Sequence, residues 1–183
     1  MTVSVTPAQF EFVDFDANVI AGVVQQLAQA LGITEPISVE VDETTPLAKV
    51  RLQHEGGLRL LVESGALEDP RKPRQFSEGA TALAIGRALL RHLDRTTGGF
   101  GEAPSDDQLD LRQIATWDTW SAARLSRLGV PVLEDRWLYN FRNRHGFTDR
   151  ADHAFQEIWS SSGLTWATLE AISLEATNAG ATA

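Results

Sequence analysis

Three short runs in which apolar and polar residues alternate are the feature that most constrains the fold of this chain. They read I-S-V-E-V-D at 37–42, A-K-V-R-L-Q at 48–53 and L-R-L-L-V-E at 58–63. A period of two is typical of strands that bury one face, and the H-E-G-G between the last two runs is typical of a hairpin loop. Such close spacing predicts an antiparallel meander of three strands. A candidate fourth strand is V-S-V at 3–5 or F-E-F-V at 10–13.

The remainder of the chain shows the three- and four-residue spacing of amphipathic helices. The most central of these stretches is 77–95, where Ala82, Ile85, Leu89 and Leu93 form one apolar stripe. Further helices are predicted from Asp14 or Asp16 to about 31, from Ser105 or Asp106 to 128, and over 134–144, 148–162 and 165–176.

The fold class that follows is α+β: a three- to four-stranded antiparallel meander packed on two helices, followed by a C-terminal helical bundle. We expect a single domain over 1–183. Its α/β layer would span 1–95 and its helical part 105–176, joined by the glycine-containing connector 96–104.

Composition narrows the function classes. The 183 residues contain no cysteine, which excludes a disulfide framework, thiolate metal sites and thiol nucleophiles. The net charge of −9 does not favour nucleic acid or anionic membranes as partners. No signal-peptide pattern begins the chain, and its longest apolar run, 19–24, is too short to span a bilayer. We therefore expect a cytoplasmic protein. Arginine-over-lysine and alanine-rich usage is typical of a bacterium with high genomic GC content.

The order of predicted elements over 14–95, a helix, three strands and a second helix, resembles the small bacterial zincin-like metalloprotease domains. The segment V-E-V-D-E-T-T-P at 39–46 adds to the resemblance. In that family the second helix carries H-E-x-x-H, which holds zinc and supplies a glutamate base. With His92 placed as the second histidine, Ala88 stands for the first and Leu89 for the glutamate. The resemblance therefore implies the scaffold without its zinc chemistry.

No other motif predicts a reaction. The chain lacks a G-x-S-x-G elbow, an S-x-x-K pair and a phosphate loop. His145, Asp149, Asp152 and His153 lie close in sequence, either as converging metal ligands or as ordinary surface polar residues. We expect a non-catalytic protein without a cofactor or metal, although a hydrolase with an unrecognised site stays open as a third alternative.

All five tryptophans lie in the predicted helical part of the chain, residues 105–176. The five residues either fill the core of the helical part or leave one ring facing outwards, and Trp117 and Trp120 share a helix face near Arg124. An exposed tryptophan beside an arginine is typical of a protein-binding hot spot. Our first functional hypothesis is therefore binding of another protein, or self-association, through Trp117, Trp120 and Arg124.

A second hypothesis rests on residues 121–146. Two predicted helices joined by L-G-V-P resemble a helix-turn-helix, with Arg136, Arg142 and Arg144 on the second helix. A DNA-binding regulator would use these three arginines for its contacts. The aromatic residues on that helix and the acidic net charge of the chain oppose this interpretation.

Overall fold

The computed structural model describes residues 2–97 and 99–177. The chain divides into two compact units, Met1–Leu90 and Arg91–Ala183, and the boundary lies inside the longest helix. No helix of the described residues is long and apolar enough to cross a membrane.

The first unit begins with strand β1 and helix α1, continues through three strands and a small second sheet, and ends in the first part of α2. Asp16 begins α1 by accepting a hydrogen bond from the backbone N–H of Asn18, as an N-cap residue does. The elements are β1 (Val3–Thr6), α1 (Ala17–Ala30), β2 (Ile37–Asp42), β3 (Val50–His54), β4 (Leu58–Glu63), β5 (Glu68–Asp69), β6 (Lys72–Phe76) and α2 (Glu78–Thr97).

The main sheet is mixed, and the predicted antiparallel meander is wrong. Its strand order is β1-β2-β4-β3. β2 pairs in parallel with both β1 and β4, and only β3 and β4 form the predicted antiparallel hairpin. The segment 43–49 therefore does not close a hairpin. It connects β2 to β3 across the position between them that β4 occupies.

Side-chain polarity explains why β4 is central and β3 is at the edge. Alternate residues of β4, beginning with Leu58, are buried, and they match the buried residues of β2 across the parallel register. β3 carries exposed Arg51, Gln53 and His54, which are suited to an edge strand because charged and polar side chains oppose further strand pairing.

The segment after β4 contains a 3-10 turn (Ser64–Ala66) and the β5–β6 hairpin. Gly65 lies so close to the 43–49 segment that a Cβ there would be 2.0 Å from the carbonyl oxygen of Pro46. The neighbouring Ser64 hydroxyl donates to the carbonyl of Thr45 at 2.9 Å. These contacts fix the crossover between β2 and β3.

Among the described residues, the second unit contains the end of α2 and four further helices, which confirms the prediction of C-terminal helices. The third helix begins at Asp110 rather than at Ser105 or Asp106, because a reciprocal capping box joins Asp110 to Gln113. Thr148 and Thr165, the first residues of the predicted segments 148–162 and 165–176, cap the last two helices. The helices are α3 (Leu111–Arg127), α4 (Glu134–His145), α5 (Asp149–Ser160) and α6 (Trp166–Thr177).

One hydrophobic core holds α3 to α6 together. Its largest fully buried side chains are Phe100, Trp117, Phe141 and Phe155. Trp120 and Trp166 are also buried there, and Trp137 and Trp159 are packed partly buried against it. The five tryptophans thus fill the core of the helical unit, which was one of the two predicted alternatives.

Candidate functional site

Trp117 lies at the centre of the second unit instead of at its surface. Its side chain is fully buried, and its ring centroid is 5.0 Å from that of Phe100 and 5.4 Å from that of Trp166. Its indole Nε1 donates a hydrogen bond of 2.7 Å to Oδ2 of Asp94. A buried indole N–H needs such a partner, so Trp117 is tied to a carboxylate at the end of α2.

Arg124 and Trp120 complete the same cluster. Arg124 donates two hydrogen bonds of 2.6 Å to the two carboxylate oxygens of Asp94, which is itself only 7% exposed. The guanidinium also lies 4.6 Å from the ring centroid of Trp120. Paired geometry of this kind makes a strong, orientation-specific contact.

The outward-facing tryptophan of the first hypothesis is therefore not found. Trp117 is 0% and Trp120 is 2% exposed, and Arg124 is used to neutralise Asp94. The sequence spacing correctly placed the three side chains together. It could not indicate that a carboxylate 23 residues before Trp117 would turn them inwards.

A second layer of ion pairs surrounds this buried cluster. Arg91 donates to Asp118 at 2.9 Å, and Arg95 donates to Asp106 at 2.7 Å. Both guanidinium groups lie over the ring of Trp117, with the Cζ of Arg91 at 5.2 Å and that of Arg95 at 4.9 Å from the ring centroid. Arg95 also donates to the carbonyls of Ala103 and Pro104, so the pairs hold the connector to the end of α2.

The three arginines of the second hypothesis separate into two groups. Arg142 forms a paired contact with Asp152 of α5, with Nε 2.7 Å from Oδ1. These hydrogen bonds hold the pKa of Asp152 below its usual range and raise that of Arg142. Arg136 and Arg144 are exposed, and their side chains make no ion pair within the described residues.

The backbone around these arginines departs from a helix-turn-helix. Six residues, 128–133, separate α3 from α4, whereas the motif uses a turn of three or four. The first turn of α4 carries Glu134 and Asp135. Acidic side chains at the start of a recognition helix oppose contact with DNA phosphates, so this segment is a helical hairpin with two exposed arginines.

A pair of exposed aromatic rings that the sequence patterns did not indicate lies on α4 and just after it. Tyr139 is 57% and Phe147 is 63% exposed. Their centroids lie 5.9 Å apart, with the ring planes at 69°. The edge-to-face contact fixes two large apolar groups at the surface. We call the surface formed by Arg136, Tyr139, Asn140, Asn143, Arg144 and Phe147 the α4 surface; all six are exposed.

One signal in the sequence could have found the α4 surface. The inner stripe of α4 contains Leu138, Phe141 and His145, which puts Tyr139 and Asn143 on the opposite side of the helix. Phe147 follows Gly146, whose φ of +104° ends the helix.

His145 is a buried link between three helices. Its Nδ1 lies 3.1 Å from the carbonyl of Phe141, and its Nε2 lies 2.9 Å from the hydroxyl of Ser173. Since Nδ1 faces a carbonyl, the neutral ring carries its proton there and accepts from Ser173 at Nε2. Thr116 of α3 lies 3.2 Å from the same Nε2.

Burial dominates the titration of His145. Desolvation lowers the pKa of its imidazole, and the positive charge of Arg112 lowers it further, against the opposing effects of the Phe141 carbonyl and Asp110. The alternative of converging metal ligands gains no support, because His145 is 5% exposed inside the core while His153 is exposed on α5. Across residues 2–97 and 99–177, no group of three or more His, Cys, Asp or Glu side chains is arranged to hold a metal ion.

On α2, the positions that a zinc-binding helix would use are structural. Leu89 is fully buried and Ala88 is half-buried. Neither side chain offers a ligand or a base, so this helix contributes apolar packing there.

Comparisons with protein-family models, with curated proteins and with solved structures find no match to this chain.

Proposed function

We propose that this protein acts without catalysis, by binding another protein molecule through the α4 surface. The observation that carries the proposal is the exposed edge-to-face pair of Tyr139 and Phe147. It replaces the tryptophans of the sequence-based hypothesis as the binding site and keeps the class of function.

The physical support is the composition of this surface. Tyrosine and phenylalanine bury large apolar areas on binding and lose few rotatable bonds. Because each ring already packs against the other, little further side-chain ordering is needed when a partner covers them.

The polar groups around the rings suit the rim of an interface. Arg136 and Arg144 are not engaged by carboxylates of the described chain, whereas Arg142 is. Asn140 and Asn143 add amide donors and acceptors on the same exposed side of α4. A rim of arginine and amide side chains around an aromatic centre is typical of protein interfaces.

We further propose that the first unit is a zincin-like scaffold that has lost its chemistry. Support comes from the order of α1, β2 to β4 and α2, which matches the order that the resemblance implies. Ala88 and Leu89 in place of the zinc motif support the loss. On this proposal the binding function belongs to the helical unit.

Site-directed photo-crosslinking in the native host tests the proposal. A benzoylphenylalanine placed at Tyr139 or Phe147 is expected to give discrete adducts with protein, and Arg136→Glu with Arg144→Glu is expected to remove them. The matched control is the same probe at Leu174, which is 51% exposed on α6. Equal labelling at Leu174 and at the two aromatic positions would count against the α4 surface.

DNA binding is the second candidate, favoured by the exposed guanidinium groups of Arg136 and Arg144. A labelled 20-base-pair duplex of random sequence, followed by fluorescence anisotropy, separates the two. DNA binding requires an affinity that falls steeply with salt and falls again in Arg136→Ala with Arg144→Ala. The lead proposal expects no saturable binding of the duplex at ~0.15 M salt.

A further inference from the structure

A third exposed aromatic side chain, Phe12, lies in a loop of the first unit with acidic neighbours. Phe12 is 60% exposed. Glu11, Asp14 and Asp16 are exposed around it in sequence. We call residues 11–14 the Phe12 loop; it presents one apolar ring between carboxylates.

Hydrogen bonds hold the Phe12 loop in place. The carboxylate of Glu43 accepts from the backbone N–H groups of Glu11 and Phe12 at 2.8 and 2.7 Å. The backbone N–H of Asp14 donates to the carbonyl of Arg74 at 2.9 Å. The Arg74 guanidinium in turn donates to the carbonyl of Glu43.

Aromatic packing anchors both sides of the loop. Phe15 makes edge contacts with Phe10 at 5.5 Å and with Phe76 at 5.7 Å between centroids. Phe10 and Phe15 thus point into the unit, while Phe12 between them is left at the surface. A braced loop that exposes one ring is ordered before it binds, which lowers the entropic cost of association.

We propose that the partner of the α4 surface is a second copy of this chain, whose Phe12 loop docks on Tyr139 and Phe147. This inference rests on the proposed function and names its partner. The charges are complementary: the Phe12 loop offers Glu11 and Asp14, and the α4 surface offers Arg136 and Arg144. Each surface also offers exposed aromatic carbon, so both the centre and the rim of the contact are matched.

Because the two surfaces differ, the contact is heterologous. A variant that reverses the charge of either surface breaks the contact in every pair of identical molecules. A variant in which the charges of both surfaces are reversed has a positive Phe12 loop and a negative α4 surface, so the two surfaces again attract each other. If the partner were a different protein, its charges would stay the same. Reversing both surfaces of this chain would then not restore binding.

Sedimentation velocity of the purified chain over a wide concentration range tests the proposal. Wild type is expected to show a mass that rises with concentration. Glu11→Arg with Asp14→Arg, and separately Arg136→Glu with Arg144→Glu, are each expected to weaken association by at least about tenfold. The variant with all four changes is expected to return to within about threefold of wild type.

Uncharged variants keep the test independent of long-range electrostatics. Phe12→Ala is expected to weaken association about as much as Phe147→Ala, since each removes one ring of the same contact. Leu47→Ala, at a leucine that is 62% exposed outside both surfaces, is expected to have no effect.

Several results would overturn the second-copy proposal: a wild-type monomer at all concentrations, association unaffected by Glu11→Arg with Asp14→Arg, or no recovery in the fourfold variant. Photo-adducts at Tyr139 separate this failure from failure of the proposed function. Adducts of twice the chain mass support a second copy. Adducts of another mass would support protein binding by the α4 surface and contradict self-association.

Discussion

Aromatic rings beside arginine occur in two regions of the second unit, and the regions use them in opposite ways. Around Trp117 and Trp120 the rings are buried, and Arg124 is neutralised by Asp94. Around Tyr139 and Phe147 the rings are exposed, and Arg136 and Arg144 have no carboxylate partner among the described residues. The residue types are the same, so composition alone does not decide which region is a surface.

The difference is whether a carboxylate from another element reaches the guanidinium. Asp94 belongs to α2 and meets two side chains of α3, which satisfies the indole of Trp117 and the charge of Arg124 together. Burying an unpaired guanidinium costs several kcal/mol. An arginine–aromatic pair is therefore interior where a third group supplies the negative charge, and it stays at the surface where none does.

The largest expected effect comes from removing that third group. Asp94→Ala leaves the guanidinium of Arg124 and the indole N–H of Trp117 without their acceptor, and we expect the free energy of unfolding to fall by about 3–5 kcal/mol. Urea denaturation followed by tryptophan fluorescence measures the loss. Asp152→Ala is the matched control, because it breaks a similar paired contact at the more exposed Arg142 and should cost much less.

Replacing both partners sharpens the same test. Asp94→Leu with Arg124→Met removes the charges together, and we expect it to recover a large part of the stability that Asp94→Ala loses. If the double variant is as unstable as Asp94→Ala, the loss arises from local packing and the ion pair does not explain the interior position of the tryptophans.

Local sequence patterns predicted the helices of this molecule well, because their determinants lie within a few residues. Thr148 and Thr165 are N-caps where the predicted segments 148–162 and 165–176 begin, and the end of α4 was predicted to within one residue. The start of α3 was missed because the capping box of Asp110 and Gln113 outweighs the acidic residues before it.

What the sequence could not predict depends on contacts between distant residues. β2 and β4 pair although they are about twenty residues apart in the sequence. The alternation of apolar and polar residues within each strand does not show which strands pair. From the sequence alone, Arg142 is predicted to be available for DNA contacts, whereas in the structure it is paired with Asp152 of the next helix. The burial of Trp117 was beyond local patterns for the same reason, because its acceptor Asp94 lies on another helix.

A smaller effect is expected from pH, through the interior histidine. The folded state lowers the pKa of His145, so the unfolded state, with a histidine pKa of about 6.5, binds the proton first as pH falls. The stabilisation of the neutral ring is thus complete above about pH 6.5 and is lost as pH falls towards the lower folded-state pKa.

Denaturation of His145→Gln between pH 7 and pH 5 measures this dependence. The variant should show a flatter stability profile than wild type, because it lacks the imidazole whose pKa the folded state lowers. The carboxylates with lowered pKa, such as Asp110 and Asp152, change protonation state below about pH 4. They therefore do not change the free energy of unfolding between pH 7 and pH 5. An unchanged slope in His145→Gln would place the pH dependence elsewhere.

The smallest effect on stability, and the sharpest contrast with Asp94, is expected at the exposed rings. Tyr139→Ala with Phe147→Ala should change the free energy of unfolding by no more than about 0.5 kcal/mol per residue, since neither ring is part of the core. With the benzoylphenylalanine placed at Asn143 of the α4 surface instead, the same variant should lose the protein adducts that the probe forms when Tyr139 and Phe147 are present. A loss of stability comparable to that of Asp94→Ala would show that the rings hold the fold together, and the distinction between a bracing interior cluster and a binding surface would fail.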